Sequence, residues 1–461
     1  MKINSSHFIR FLIILTVFWS AMVTVFNYHQ YSLGYVICGC FVLLYFFTHD
    51  IEDRFLILLS GLPFQAITKF AVGMPSVSVF LYLAFIVECV YLKHFSIKNK
   101  QLAAVFGLLF LQLFSALRYD LQLKSFISTF LVIVFAAYAM ELFENNSEPI
   151  KLFKKCAWVY VVTMLINIYS VSVFPRLPYY ILMKKQLILD RIGRFCALNA
   201  DPNYYGQLIM VAIGFLAGMA IMYFREKQYK LGILCIILVA LFTYNGNRSI
   251  SKGYVLSFAC TAVVLVWFII MENKPAKRKP FYFVLFIGLG IFAAYMLLNK
   301  LVIPTIEKRS ETDLFTGRLE KWQLYFDMIK NDPIIVLLGT GFSNSPEVIL
   351  KITGINAAAH NLYLEALCDV GLLGLLFIAL LWSNMFKVFR SLFSNSLTLF
   401  LWGFLFTSVS LSASANDVMY FVVPICALVF SKNLKEEVEE SYEMEEIEET
   451  KVAVPFLETG E

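Results

Sequence analysis

The sequence predicts an all-α, polytopic bundle of transmembrane helices, with a large outer loop that contains an amphipathic helix. Three observations carry this. The chain of 461 residues is 59% hydrophobic and only 15% charged, with a mean hydropathy of +0.72. Soluble chains carry nearer 25% charged residues, so the apolar excess belongs in a bilayer. Apolar runs long enough to cross a membrane recur along most of the chain, and Lys and Arg cluster in alternate short connections between them.

Candidate spans fall at 8–26, 31–48, 54–70, 75–92, 102–117, 125–143, 156–174, 206–224, 231–245, 253–271, 281–298, 361–386, 396–414 and 417–431. That makes about 12–14 spans at roughly 20 apolar residues each. Gly61 and Pro63 interrupt the third, and the ninth and last are short. Residues 1–431 therefore read as one membrane domain, and 432–461, an acidic run containing KEEVEESYEMEEIEET, as a solvated cytoplasmic tail. The N-terminal apolar run lacks a small-residue cleavage site and reads as a retained first span.

Basic clusters set the orientation. Lys93, Lys98 and Lys100; Lys151, Lys154 and Lys155; Arg225, Lys227 and Lys230; Lys274, Lys277, Arg278 and Lys279; and Lys387 and Arg390 fall on alternate loops. Those loops are assigned to the cytoplasm, which puts both termini there. The net charge of +5 is too small to point to nucleic acid. Nine cysteines lie mostly inside apolar runs with no CxxC spacing, so neither a disulfide framework nor a metal site is indicated.

Three outer connections break the charge bias. Residues 175–206 hold Arg176, Lys184, Lys185, Arg191 and Arg194; the turn NGNRSISKG holds Arg248 and Lys252; residues 299–360 hold Arg318 among seven cations. Arginine forks there suit an anionic substrate such as a phosphate. Contact with lipid headgroups is the plainer account, since long loops escape the charge rule. For Arg248, at the edge of the hydrocarbon, that account is snorkelling to the interface.

Asp201 followed by Pro202 marks a helix start, with the carboxylate as cap and proline at the first helical position. From Leu319, the residues Trp322, Tyr325, Phe326 and Ile329 recur at helical spacing opposite Glu320, Lys321, Asp327 and Lys330. This describes an amphipathic helix suited to a membrane surface, with Arg318 in its first turn. Asn331, Asp332 and Pro333 end it, and Gly339 and Gly341 mark a turn whose backbone could approach a ligand closely. His360 opens the next span beside Asn361, with Glu365 just over a turn further on. As a neutral imidazole His360 suits proton removal from a sugar hydroxyl; protonated, it suits phosphate binding.

The order of these residues is familiar. An Arg-containing loop ends in D-P-N. A basic turn follows, then T-G-R-x-x-x-W, G-x-G-F, A-H-N-x-Y-L-E and V-G-L-L-G. This pattern resembles the O-antigen ligase and Wzy-type O-antigen polymerase superfamily of bacterial integral membrane glycosyltransferases, over about residues 190–385. The resemblance implies a bacterial inner-membrane enzyme with a periplasmic site and no metal or other cofactor. Its donor and acceptor would be polyprenyl-diphosphate-linked oligosaccharides, and a chain-length regulator is a candidate partner. Arg318 and His360 would be catalytic, with Arg194, Arg248, Asn361 and Glu365 binding substrate. The basic turn lacks the usual Ser-Arg-Gly/Ser start, and the segment after Pro333 lacks an early glycine.

The expected activity is a polysaccharide polymerase, which moves the glycan onto the next lipid-linked repeat. The alternatives are a ligase that moves it onto lipid A-core, or a flippase for the lipid-linked glycan. A flippase calls for charges lining a route through the spans, whereas here Glu88 is a rare mid-span acid and charge gathers on one face.

Overall fold

A computed structural model describes residues 5–28, 32–65, 67–68, 76–91, 99–119, 123–173, 195–199, 201–249, 251–272, 316–355, 357–382, 392, 395–411 and 417–431. Arg194, the expected span at 281–298, the first part of the long loop and the acidic tail lie outside the described residues. In order, the helices are α1 (Ser5–Tyr28), α2 (Ser32–Phe47), α3 (Ile51–Gly61), α4 (Val77–Tyr91), α5 (Asn99–Arg118), α6 (Leu123–Glu144) and α7 (Pro149–Val173). There follow α8 (Pro202–Arg225), α9 (Tyr229–Asn247), α10 (Lys252–Glu272), α11 (Thr316–Asn331), α12 (Ile334–Leu338), α13 (Ser345–Thr353), α14 (Leu362–Leu381), α15 (Leu399–Ser408) and α16 (Val418–Val429).

Seven of these, α5 to α10 and α14, are long and apolar enough to cross a membrane, and five shorter apolar helices accompany them. The all-helical bundle is therefore as expected, with one correction. The span expected at 54–70 does not form. α3 stops at Gly61, and the chain turns through a 3-10 segment at Leu62–Phe64, where Pro63 supplies no amide donor. This broken backbone is buried in protein, where the Pro63 carbonyl accepts from Asn167 Nδ2 at 2.6 Å. Non-helical backbone at membrane depth is tolerated where protein satisfies it.

α8 is the central post. Nearly all of it is buried between α9, α10 and α15. Gly214 and Gly218 let α15 and the 3-10 turn before it come close: a Cβ on Gly214 would sit 2.3 Å from the Phe400 Cα. Small residues at such a crossing permit backbone contact, which is how helices gain packing in lipid.

α11, α12 and α13 form a small unit with its own core of Tyr325, Met328, Ile335, Val348 and Ile349. α11 is the expected amphipathic helix and ends where Asn331 and Asp332 predicted. Its apolar face, however, is spent mainly on protein: Tyr325 and Met328 are buried, while Phe326 remains 53% exposed. Asp332 ties its end to α5, accepting from Arg118 Nη2 at 2.6 Å and from the Tyr119 hydroxyl.

At the end of the bundle opposite the D-P-N turn, two lysines of one expected basic connection are paired. Lys154 Nζ lies 2.9 Å from Glu226 Oε1, and Lys155 Nζ lies 3.7 Å from Asp53 Oδ1.

Candidate functional site

The site assembles where α8, α10 and α14 begin and α9 ends, so the residues that looked separate in sequence share one end of the bundle. Asp201 caps α8, accepting from the amides of Asn203 at 2.6 Å and Tyr204 at 3.4 Å, as the Asp-Pro signature predicted. The following Asn203 Oδ1 accepts from Ser251 Oγ at 2.9 Å, which links this turn to the start of α10.

Arg248 closes α9. Its guanidinium lies 4.0 Å from the centre of the Phe195 ring, and Nη1 donates to Asn245 Oδ1 at 3.2 Å. The Arg248 carbonyl accepts from the Phe195 amide at 2.9 Å, fastening the 195–199 segment to the basic turn. Contact with an aromatic face and with Asn245 holds the guanidinium in place, which favours bidentate contact with an oxyanion.

α11, which carries Arg318, docks on the short segment before α14 that ends in His360. Trp322 Nε1 donates to the Ala359 carbonyl at 2.9 Å, and the Tyr325 hydroxyl donates to the Ala357 carbonyl at 3.3 Å. Arg318 sits one helical turn before Trp322, so this docking brings its charge to bear on His360. Burial pushes the His360 imidazole below its ordinary pKa; the charges of Lys321 and Arg318 push the same way, and Asp201 opposes them. These influences favour the neutral ring, the form able to accept a proton.

Asn361 caps α14 through its side-chain oxygen, which accepts from Tyr363 and Leu364 amides, both at 3.1 Å. Glu365 is buried at 1% exposure, and its Oε1 accepts from the His360 amide at 3.0 Å. Both residues thus shape the mouth of α14 from within.

The G-T-G turn is placed differently from expectation. Its backbone approaches α14 closely instead of standing open for a ligand. α14 breaks at Gly371 (φ 65, ψ 178), and the carbonyls freed there accept from the Thr340 and Gly341 amides, each at 2.8 Å. Asp369, buried just before the break, accepts from the Ser345 amide at 2.9 Å. Gln112 on α5 accepts from the Phe342 amide at 3.0 Å, so the turn is held from two sides. Below the mouth of α14, an apolar cavity of about 350 Å³ opens between α6, α14, α15 and α16, with Tyr363, Asp369 and Ser343 in its lining.

Lys321 and Asp201, as charges acting on His360, were not singled out from sequence. Lys321 stands three residues after Arg318, a helical neighbour. That spacing was the available signal. For Asp201 no local signal existed, since 159 positions separate it from His360. Among the described residues, no cluster of three or more His, Cys, Asp or Glu suits a metal ion.

Residues 237–379, from α9 through α14, match the family described as O-antigen ligase. The match supports a relation to the O-antigen ligase superfamily over that stretch. That matched stretch holds Arg248, Arg318, His360, Asn361 and Glu365, whereas Arg194 and Asp201 precede it. The chain is also similar to a ComP-specific O-oligosaccharyltransferase of Acinetobacter baylyi, 21% identical over 355 residues. The similarity covers 72% of this chain and 61% of that protein, so the chain spans less than two thirds of the relative's length.

Proposed function

We propose that this protein is a glycosyltransferase that moves a glycan from a polyprenyl diphosphate onto an acceptor hydroxyl, at the periplasmic side of a bacterial inner membrane. The observation that carries the reading is the docking of α11, which bears Arg318 and Lys321, on the segment that leads to His360 at the mouth of α14. In the reaction, the acceptor oxygen bonds to the anomeric carbon as the bond from that carbon to the diphosphate breaks. The electron pair leaves with the lipid diphosphate, and the acceptor proton passes to His360. Arg318, Arg248 and Arg194 neutralise the charge growing on the diphosphate, through contacts that strengthen as it leaves. A positioned base contributes about 10²–10⁴-fold to such a step. No metal or other cofactor enters the scheme.

The first reading of the acceptor is the next lipid-linked repeat, which makes the enzyme a polymerase, served by a chain-length regulator. A second reading is transfer to a different acceptor, lipid A-core or a protein hydroxyl. The family's description as a ligase and the relative's description as an oligosaccharyltransferase favour it.

The test uses the purified protein in proteoliposomes with a polyprenyl-diphosphate oligosaccharide and each acceptor in turn. Arg318→Ala and His360→Ala are expected to lower transfer at least about 10²-fold while accumulating normally in the membrane. Transfer at the wild-type rate by both variants would sink the assignment. A ladder of products from donor alone marks a polymerase; single additions to core or protein mark the second reading.

A further inference from the structure

His360 has an unusual backbone for its residue type. Its φ of 51° lies in the left-handed region, where a side chain's Cβ crowds the chain. The reason is geometric. On one side, the extended segment is fixed to α11 through the Ala357 and Ala359 carbonyls. On the other, Asn361 has extended backbone angles and caps α14. The chain must reverse between these two fixed points, and His360 is the residue at which it turns. Glycine fills such turns without steric conflict. A histidine there needs something to hold it.

Glu365 supplies the hold. It sits on the inner face of the first turns of α14, almost fully buried, and its Oε1 accepts from the His360 amide at 3.0 Å. This bond fastens the backbone of the strained residue to the rigid helix that follows it. We propose that Glu365 is a positioning residue, whose carboxylate locks His360 in the left-handed turn and so fixes the imidazole among Arg318, Lys321 and Asp201. The inference rests on the transferase reading for its consequence in catalysis, but not for its geometry. Asp369, one turn further along the same helix, does the parallel service for the other loop by accepting from the Ser345 amide. The first turns of α14 thus anchor both segments that bear on the site.

The consequence is a split between binding and turnover. Arg318 stands on α11 and Arg248 at the end of α9, both outside α14, so loss of Glu365 is expected to leave KM for the donor near that of the wild type. Misplacing a base by about 1 Å costs on the order of 10²-fold, and that loss falls on kcat. Glu365→Ala is expected to show it, and Glu365→Gln, which keeps an acceptor oxygen at the same reach, to recover at least about tenfold of it. If Glu365 acts only through His360, the double variant Glu365→Ala/His360→Ala is no slower than His360→Ala alone.

A second measurement needs no substrate. Carboxylation of His360 by diethyl pyrocarbonate, read by mass spectrometry, reports the exposure and protonation of that imidazole in the folded protein. Glu365→Ala is expected to change its rate, and Glu365→Gln to return it toward the wild-type value. An unchanged His360 labelling rate in Glu365→Ala would overturn the proposal, as would a double variant markedly slower than His360→Ala. Full activity of His360→Ala would instead remove the catalytic reading, while the labelling rate would still decide whether Glu365 positions the ring.

Discussion

At the scale of single residues, the charge around His360 controls which form of the imidazole is present. Its pKa is lowered by burial first, then by Lys321 and Arg318, and is raised by Asp201. A base must be unprotonated, so with His360 as the proposed base the rate is expected to fall on the acid side as pH drops through its pKa. Removing the positive charge of Lys321 relaxes one of the lowering influences. Lys321→Gln should therefore move the acid limb of the kcat profile to higher pH. Asp201→Asn should move it to lower pH, and asparagine caps a helix about as well as aspartate, so α8 stays intact. Both shifts should shrink with added salt, because these charges are partly solvated. Profiles that coincide with the wild type would dissociate His360 from the proton transfer.

At the scale of elements, the broken α14 and the turn that fills the break form one unit. Gly371 and Gly339 have backbone angles (φ 65, ψ 178 and φ 75, ψ 178) that glycine adopts almost alone. They also pack face to face: a Cβ on Gly371 would lie 2.5 Å from the Leu337 carbonyl oxygen, and one on Gly339 would lie 2.3 Å from that of Asp369. Alanine at either position should lower stability by more than the roughly 1–3 kcal/mol of backbone strain alone. Gly354 provides the control, since it has φ 72 but open space around it, so Gly354→Ala should cost only about 1–2 kcal/mol. Thermal unfolding in detergent compares the three. Equal costs would mean that the close approach does not matter. The repeated glycines were visible in V-G-L-L-G and G-T-G. That each exists for the other was not, because 32 positions separate them and only the packed structure brings their backbones together.

At the scale of the molecule, the first seven helices are joined to the site by a few buried polar contacts. Asn167 on α7 donates to the Pro63 carbonyl at 2.6 Å and accepts from the Leu198 amide at 3.3 Å. It therefore ties the broken α3 segment to the loop beneath Arg248. Asn167→Ala leaves both backbone groups buried without that partner, at about 1–3 kcal/mol each. It should lower the unfolding temperature and speed maleimide labelling of Cys196, which is buried in the same loop. Labelling at the wild-type rate would show the loop to be held by other contacts.

The class of molecule and most of its helices are legible residue by residue. Apolar runs and alternating basic loops are local signals, and a bilayer demands helices wherever backbone must be satisfied without water. The same local chemistry marked Asp201 as a cap, the end of α11 at Asn331, and Arg318, Arg248 and His360 as charges out of place. That the chain bends at Leu62–Phe64 and stays buried is settled by packing, since the Pro63 carbonyl is satisfied by Asn167 from a distant helix. Packing alone turned the apolar face of α11 toward protein and seated the G-T-G turn in the break of α14. It also brought Lys321 and Asp201 to bear on His360. Electrostatic and hydrogen-bond partners are set by distance in space, and a chain read residue by residue carries no measure of that distance.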